Sequence, residues 1–245
     1  MKIGIISGAS SGIGRAIVKE IDSLNLDQLW LIGRNDTELS LLKQELNTNA
    51  NCMLLDLTKE SSFNDIKDAL SFGEYTIEYL VASAGVGYTG SLESNSFSQI
   101  SNMIDLNCKG LTLLLNTCLP YMCEKGKIIN IASGAGFVPQ ADFAVYSATK
   151  SYVISVSRAL RKEVKSRKIS VTAVCPGPVD TKFFSDLENV KEYKKKHLIS
   201  PEAVARGAIK ASKKNKAVYT PTFSIKLLHF ASKILPTSLI LKFAK

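Results

Sequence analysis

The stretch Ser7-Gly8-Ala9-Ser10-Ser11-Gly12-Ile13-Gly14 decides the fold. It closes the isoleucine-rich run Lys2 to Ser7 and opens a segment with helical spacing from Ile13 to Ser23. Glycines there allow a tight turn and close backbone approach. A helix that starts behind them offers free N–H groups and a positive dipole end to a pyrophosphate. The spacing is G-x-x-x-G-x-G, not the commoner G-x-G-x-x-G, and a ligand-free βα turn uses the same residue types. Its place in the first βα turn favours a dinucleotide.

Outward from that loop, short β-rich runs alternate with helical segments, the pattern of repeated βαβ units around a buried parallel sheet. Strands are expected near Lys2 to Ser7, Gln28 to Gly33, Asn51 to Asp56, Glu78 to Ser83, Lys127 to Ala132, Ile169 to Cys175 and Ala217 to Thr220. Helices are expected near Ile13 to Ser23, Asp36 to Leu46, Ser61 to Leu70, Phe97 to Met122, Ala144 to Ser166 and Pro201 to Lys213. The length of 245 residues, with 45% hydrophobic and 22% charged, suits one full-sized α/β domain over residues 1–221 and excludes disorder, collagen and coiled coil.

Five cysteines at no zinc-ligand spacing, with His197 and His229 the only histidines, point to reduced thiols and no metal. The opening run lacks the long apolar core of a secretory signal, so a cytoplasmic protein is expected. The net charge of +9 is uneven: residues 1–181 carry 17 Lys+Arg against 18 Asp+Glu, and residues 182–245 carry 14 against 4. The basic character belongs to an apolar-rich tail with no recognition motif, which argues against nucleic acid.

About twenty residues past the loop, a fold that prefers NAD places an acid for the ribose hydroxyl. Here the second strand ends in Gly33-Arg34-Asn35, and the planar fork of Arg34 suits a 2′-phosphate, so NADP(H) is favoured over NAD(H). The alternative is a solvated arginine at a helix entrance. Asp56, before Leu57-Thr58, is placed to meet adenine or to cap a helix. Tyr146 and Lys150 lie four apart on one helix face, where an ammonium would stabilise a phenolate, although such pairs also occur as plain surface structure. Ser133 follows the fifth strand at the carboxyl end of the sheet, able to hold a carbonyl or simply a turn.

Together these motifs resemble the short-chain dehydrogenase/reductase family: the glycine loop, Asn107, Ser133, Tyr146-Ser147-Ala148-Thr149-Lys150 and Pro176-Gly177-Pro178-Val179-Asp180-Thr181 stand in register from residue 2 to about 181. The resemblance implies a seven-stranded doubly wound Rossmann sheet with helices on both faces and an NADP-dependent oxidoreductase. It implies Tyr146 as general acid/base, Ser133 orienting the carbonyl, Lys150 on the nicotinamide ribose and lowering the tyrosine pKa, and Asn107 holding a relay water. Gly8, Ser10, Ser11, Gly12, Ile13, Gly14, Arg34, Asp56, Leu57, Ala84, Val179 and Thr181 would contact the cofactor. Ala82-Ser83-Ala84-Gly85 departs from the family's Asn-Asn-Ala-Gly, and Ser7 stands where Thr is usual.

In the family the pocket is closed by segments that here span about residues 137–143 and a lid at about 183–199. Phe137, Phe143, Phe183 and Phe184 would give an apolar lining and hence a keto-lipid or steroid-like substrate, with packing inside the lid as the bland alternative. Tyr193-Lys194-Lys195-Lys196-His197 reads as a solvated helix face. The tail 222–245 reads as a cationic amphipathic helix, with Lys226, His229 and Lys233 on one stripe. It would lie on an anionic membrane surface, pack on a sister subunit or cover the pocket. A homodimer or homotetramer would pair through the helices Phe97 to Met122 and Ala144 to Ser166. The rival of another class is a non-catalytic NADP-binding sensor or scaffold whose tail binds a membrane or partner.

Overall fold

The computed structural model describes residues 1–185, 187, 198–236 and 238–240. Among them β1 (Lys2–Ser7), β2 (Gln28–Gly33), β3 (Ala50–Leu54), β4 (Thr76–Ala82), β5 (Met122–Ile131), β6 (Ser170–Val174) and β7 (Val218–Tyr219) form one sheet. Its order is β3-β2-β1-β4-β5-β6-β7, and all adjacent pairs run parallel. The strands are buried on both faces, which explains why they read as continuous apolar runs rather than alternating ones.

One face is covered by α1 (Gly12–Ile21), α2 (Asp36–Gln44) and a late helix, α8 (Pro201–Lys213). Ile17, Ile21, Leu39, Leu42, Val204 and Ile209 pack there on Ile6, Leu29, Leu31 and Val81. The other face is covered by α3 (Ser61–Ser71), α4 (Phe97–Ile104), α5 (Leu111–Cys118) and α6 (Ala144–Glu163). Phe63, Ile66, Leu114, Leu115 and Val153 meet Ile3, Trp30, Leu80 and Ile128. Helices on both faces of a parallel sheet make this a doubly wound Rossmann-type α/β fold. Strand order reverses between β1 and β4, so their carboxyl ends open a crevice where ligands bind in such sheets.

Two elements differ from the expectation. The helix expected from Phe97 to Met122 is divided: α4 runs through a π-helical turn, Asp105–Gly110, into α5, and a 3₁₀ turn, Leu119–Tyr121, follows. Pro120 has no N–H to continue the helix. β5 then starts at Met122 rather than Lys127, because Met122 pairs with Ile77 before a bulge restores the ladder at Tyr79 and Lys127. After a short turn of helix, α7 (Lys182–Ser185), and α8, the tail forms α9 (Phe223–Ile234), and the described path runs on to Ile240, which is buried.

Candidate active site

The glycine loop sits at the crevice between β1 and β4. Gly8 and Gly12 have φ of 67° and 53°, the left-handed region that favours glycine. A Cβ on Gly14 would stand 2.1 Å from the Gly8 carbonyl oxygen, and one on Gly8 would stand 2.8 Å from the Ala84 nitrogen, so the loop lies flat on its neighbours. Ser11 gives α1 no side-chain cap, which leaves the first-turn amides without a side-chain partner at the loop. Ile13 packs behind the loop against the core. A groove of about 650 Å³ runs past Gly8, Ser10, Ser11, Arg34, Leu57 and Ala84. These features fit an anionic dinucleotide.

Ser7 supplies a brace that the Asn-Asn departure would otherwise remove. Its hydroxyl accepts the N–H groups of Ser83 (3.1 Å) and Ala84 (3.2 Å) and donates to the Val81 carbonyl (3.3 Å). Arg34 is exposed at the tip of β2 and makes no ion pair among the described residues, whereas Arg15 nearby is engaged by Glu38 (2.9 Å) and Glu45 (2.7 Å). Burial alone would raise the Asp56 pKa. The N–H and hydroxyl of Thr58, 3.0 and 2.8 Å from its carboxylate, and the Arg34 charge hold it below the usual value.

The other half of the site converges from three elements. Ser133 caps the 3₁₀ turn Gly134–Phe137, its oxygen accepting the Ala135 N–H (3.1 Å), and its hydroxyl lies close enough to the Tyr146 phenol to favour the phenolate. Lys150, one turn along α6, donates to the Ile131 carbonyl (3.0 Å) with its nitrogen 5.6 Å from the centre of the Tyr146 ring. Asn107, in the π-turn, accepts the Val86 N–H (2.9 Å) and donates to the Val86 carbonyl (2.8 Å) and Thr149 hydroxyl (3.0 Å). A Cβ on Gly85 would stand 3.1 Å from the Asn107 oxygen and 3.3 Å from the Lys150 nitrogen. Glycine lets these groups meet there.

Burial pushes the Tyr146 phenol up to about 12, with only the Ser133 hydrogen bond pulling the other way. Burial pushes Lys150 down to about 8, opposed by the Cys108 and Cys175 thiols. In the protein by itself, desolvation of the phenol therefore outweighs the depression expected from the ammonium, because Lys150 is directed at a carbonyl oxygen. Tyr146 holds its proton at neutral pH.

Phe143 stacks on Tyr146 at 4.2 Å and 21°, and Phe183 leans on it at 5.7 Å and 37°. The structure sets Phe137 apart, stacked on His229 of α9 at 4.3 Å and 18°. Phe184 is half-buried and begins no ring contact with Tyr146 among the described residues. Of the expected lid, residues 186 and 188–197, including Tyr193 to His197, lie outside the described residues. Ile199 pairs with Val179, and the Asp180 N–H donates to the Ile199 carbonyl (3.0 Å). The Thr181 methyl comes close enough that a Cβ on Gly12 would stand 3.1 Å from it, which brings Val179 and Thr181 to the glycine loop.

The sequence profile of the short chain dehydrogenases matches residues 2–192 of this chain. The chain belongs to the short chain dehydrogenase family. An uncharacterized oxidoreductase of Staphylococcus epidermidis is 38% identical over 184 residues, 74% of this chain and 79% of that protein. A short-chain dehydrogenase from Sphingobium yanoikuyae in complex with NADPH superposes with a TM-score of 0.82 at 23% identity, covering 98% of this chain and 95% of that one. One from Burkholderia phymatum in complex with NAD gives 0.82 at 22% identity, covering 95% and 94%.

Some participants were not legible in the sequence. Thr149 links Asn107 to the Tyr146 carbonyl, to which its hydroxyl donates at 2.8 Å, and a threonine inside a helix carries no signal of that. Lys182 lines the groove, and its only cue is that it follows Thr181.

Proposed function

We propose that this dehydrogenase interconverts a lipophilic ketone and its secondary alcohol, with NADP(H) preferred over NAD(H). The observation that supports the chemistry is the half-buried Ser133 hydroxyl beside a buried, proton-holding Tyr146 at the carboxyl end of the sheet. NADPH, when bound, supplies a hydride to the carbonyl carbon, and the oxidised form takes one back in the reverse direction. As the carbonyl π electrons move onto oxygen, Tyr146 gives that oxygen its phenolic proton, and Ser133 holds the same oxygen by hydrogen bond. At neutral pH the phenol keeps its proton and is therefore in the form that can give it to the developing alkoxide. Lys150, the only ammonium buried beside the phenol among the described residues, steadies the phenolate left behind, and Asn107 holds the β4 turn against α6.

Arg34, exposed and without an ion pair among the described residues, supports the phosphorylated cofactor, since its guanidinium can take a 2′-phosphate in a bidentate grip. Gly8, Gly12, Gly14, Leu57, Ala84, Val179 and Thr181 would carry the rest of the dinucleotide along the groove. Phe143, Phe183 and the half-buried Val86 and Tyr88 support an apolar substrate beside Tyr146. Pairing of two copies through α4, α5 and α6 fits their exposed Phe97, Ile104 and Tyr152.

Fluorescence titration with NADPH and NADH, followed by NADPH oxidation against ketones from short and polar to long-chain and steroidal, tests this reading. Tight NADPH binding with turnover on the lipophilic members is expected. Binding without turnover on any member would move the protein to the sensor class, and a preference for NADH would overturn the role of Arg34.

A further inference from the structure

α9 turns its apolar side away from its own domain. On its inner side, Ile225 fills the space beside Gly134 and Gly177, and His229 stacks on Phe137 while bonding Arg158 at 3.2 Å. Its outer side carries Phe223, Leu227, Phe230 and Ile234, which are 79, 56, 62 and 62% exposed. Their spacing makes one stripe along the helix. Exposed Lys226 and Lys233 flank it. A hollow of about 300 Å³ between α6 and α9 is walled by Arg158, His229, Lys233 and the hydroxyls of Ser151, Ser155 and Ser232, without a carboxylate.

Contiguous exposed apolar side chains mark an interaction surface. The charge around this one selects the partner. From Ala203 to Lys245 the sequence holds nine Lys+Arg and no Asp or Glu. In a two-fold pairing the stripe would meet itself, setting Lys226 and Lys233 of each copy against like charges with no acid from the tail between them. An anionic bilayer offers acyl chains to the stripe and phosphates to the cations. At 12 residues the helix is about 18 Å long, too short to cross a bilayer but enough to lie in its surface.

We propose that α9 is an interfacial anchor, with Phe223, Leu227, Phe230 and Ile234 in the boundary between headgroups and acyl chains of an anionic membrane. Lys226, Lys233 and Arg158 then face lipid phosphates. The inner side of the helix covers the turn that follows Ser133, so docking brings the candidate active site to the lipid surface. This inference stands on the tail alone and does not require the redox reading.

The test is flotation of the full chain with phosphatidylcholine vesicles and with equimolar phosphatidylcholine and phosphatidylglycerol vesicles. The protein is expected to float with the anionic vesicles only and to be released by high salt. Lys226→Gln and Lys233→Gln should each lower the partition coefficient about fivefold. The pair Leu227→Ser and Phe230→Ser should lower it at least tenfold with an unchanged melting temperature, since both side chains face solvent. Equal recovery on the two vesicle types, bound or unbound, overturns the proposal. So does a stripe variant that turns a sedimenting dimer into a monomer, because a second copy would then own the surface.

Discussion

Residues 1–181 and residues 182–245 are built on opposite principles. In the first region charges balance, 17 against 18, and the buried polar groups of the candidate site have partners inside the chain. Buried Asn107 grips Val86 through both ends of its amide, buried Lys150 has the Ile131 carbonyl, and the φ of Gly8 fits the loop that carries it. In the second region the excess is 14 cations to 4 acids, and four large apolar side chains of α9 face water. The contrast teaches where the missing partners are. A site whose polar groups are satisfied internally is preorganised for a ligand, whereas a surface with unspent apolar area and unpaired charge is completed by something outside the chain.

The comparison is sharpened most by Tyr146→Phe. Removal of the phenolic proton should cut turnover about 10²–10⁴-fold while NADPH binding stays near its original strength, as read by steady-state kinetics and fluorescence. A variant that keeps most of its turnover would break the idea that residues 1–181 hold a finished site.

Next in size is Asn107→Ala, which leaves the half-buried N–H and carbonyl of Val86 and the buried Thr149 hydroxyl without their side-chain partner. Urea unfolding should show a loss of about 2–4 kcal/mol. Arg34→Ala should weaken NADPH about tenfold to a hundredfold and NADH hardly at all, because only one ligand has the phosphate.

A smaller effect separates the buried lysine from the exposed ones. The folded pKa of Lys150 lies near 8 and the unfolded one near 10.5, so between those values the unfolded chain holds a proton that the folded chain has released. Stability therefore rises with pH through that window. Tyr146 acts in the opposite sense above pH 10, where its raised pKa costs stability as pH climbs toward 12. Wild type should thus gain on Lys150→Met between pH 7.5 and 9.5 in denaturant titrations, and a flat difference would mean that the ammonium is not desolvated. Smallest is Phe230→Ser, expected to leave folding stability within about 0.5 kcal/mol. A large loss there would show that the tail is core after all.

Much of the fold was legible because a parallel sheet buried on both faces writes itself as β-branched runs, and every expected strand overlaps an observed one. The early start of β5 was not, since Glu124-Lys125-Gly126-Lys127 has the polarity of a loop and is kept in the ladder only by the Met122 pairing. The π-turn was equally hidden, because Asp105 to Gly110 contains nothing that an ordinary helix would refuse except its closing glycine. That glycine packs against the Leu57 carbonyl, where a Cβ would stand 2.6 Å away, a long-range contact outside the reach of periodicity. For α9, apolar residues on nearly every side left the periodicity unable to say which side faces in. Ile225, small enough to sit on Gly134 and Gly177, settled that through contacts made some fifty to ninety positions away in sequence.

The π-turn also gives the chain a particular sensitivity to changes of length. A turn closed five residues apart holds one residue more than its α-helical neighbours, and that surplus presents Asn107 to Val86 and Thr149. Loss of a single codon between Asp105 and Gly110 would let the helix heal into regular α-geometry with its two flanks still in phase, withdrawing the surplus that presents Asn107. In a library of in-frame deletions, this short interval should therefore yield proteins that fold yet do not work, a phenotype that substitutions would rarely produce there.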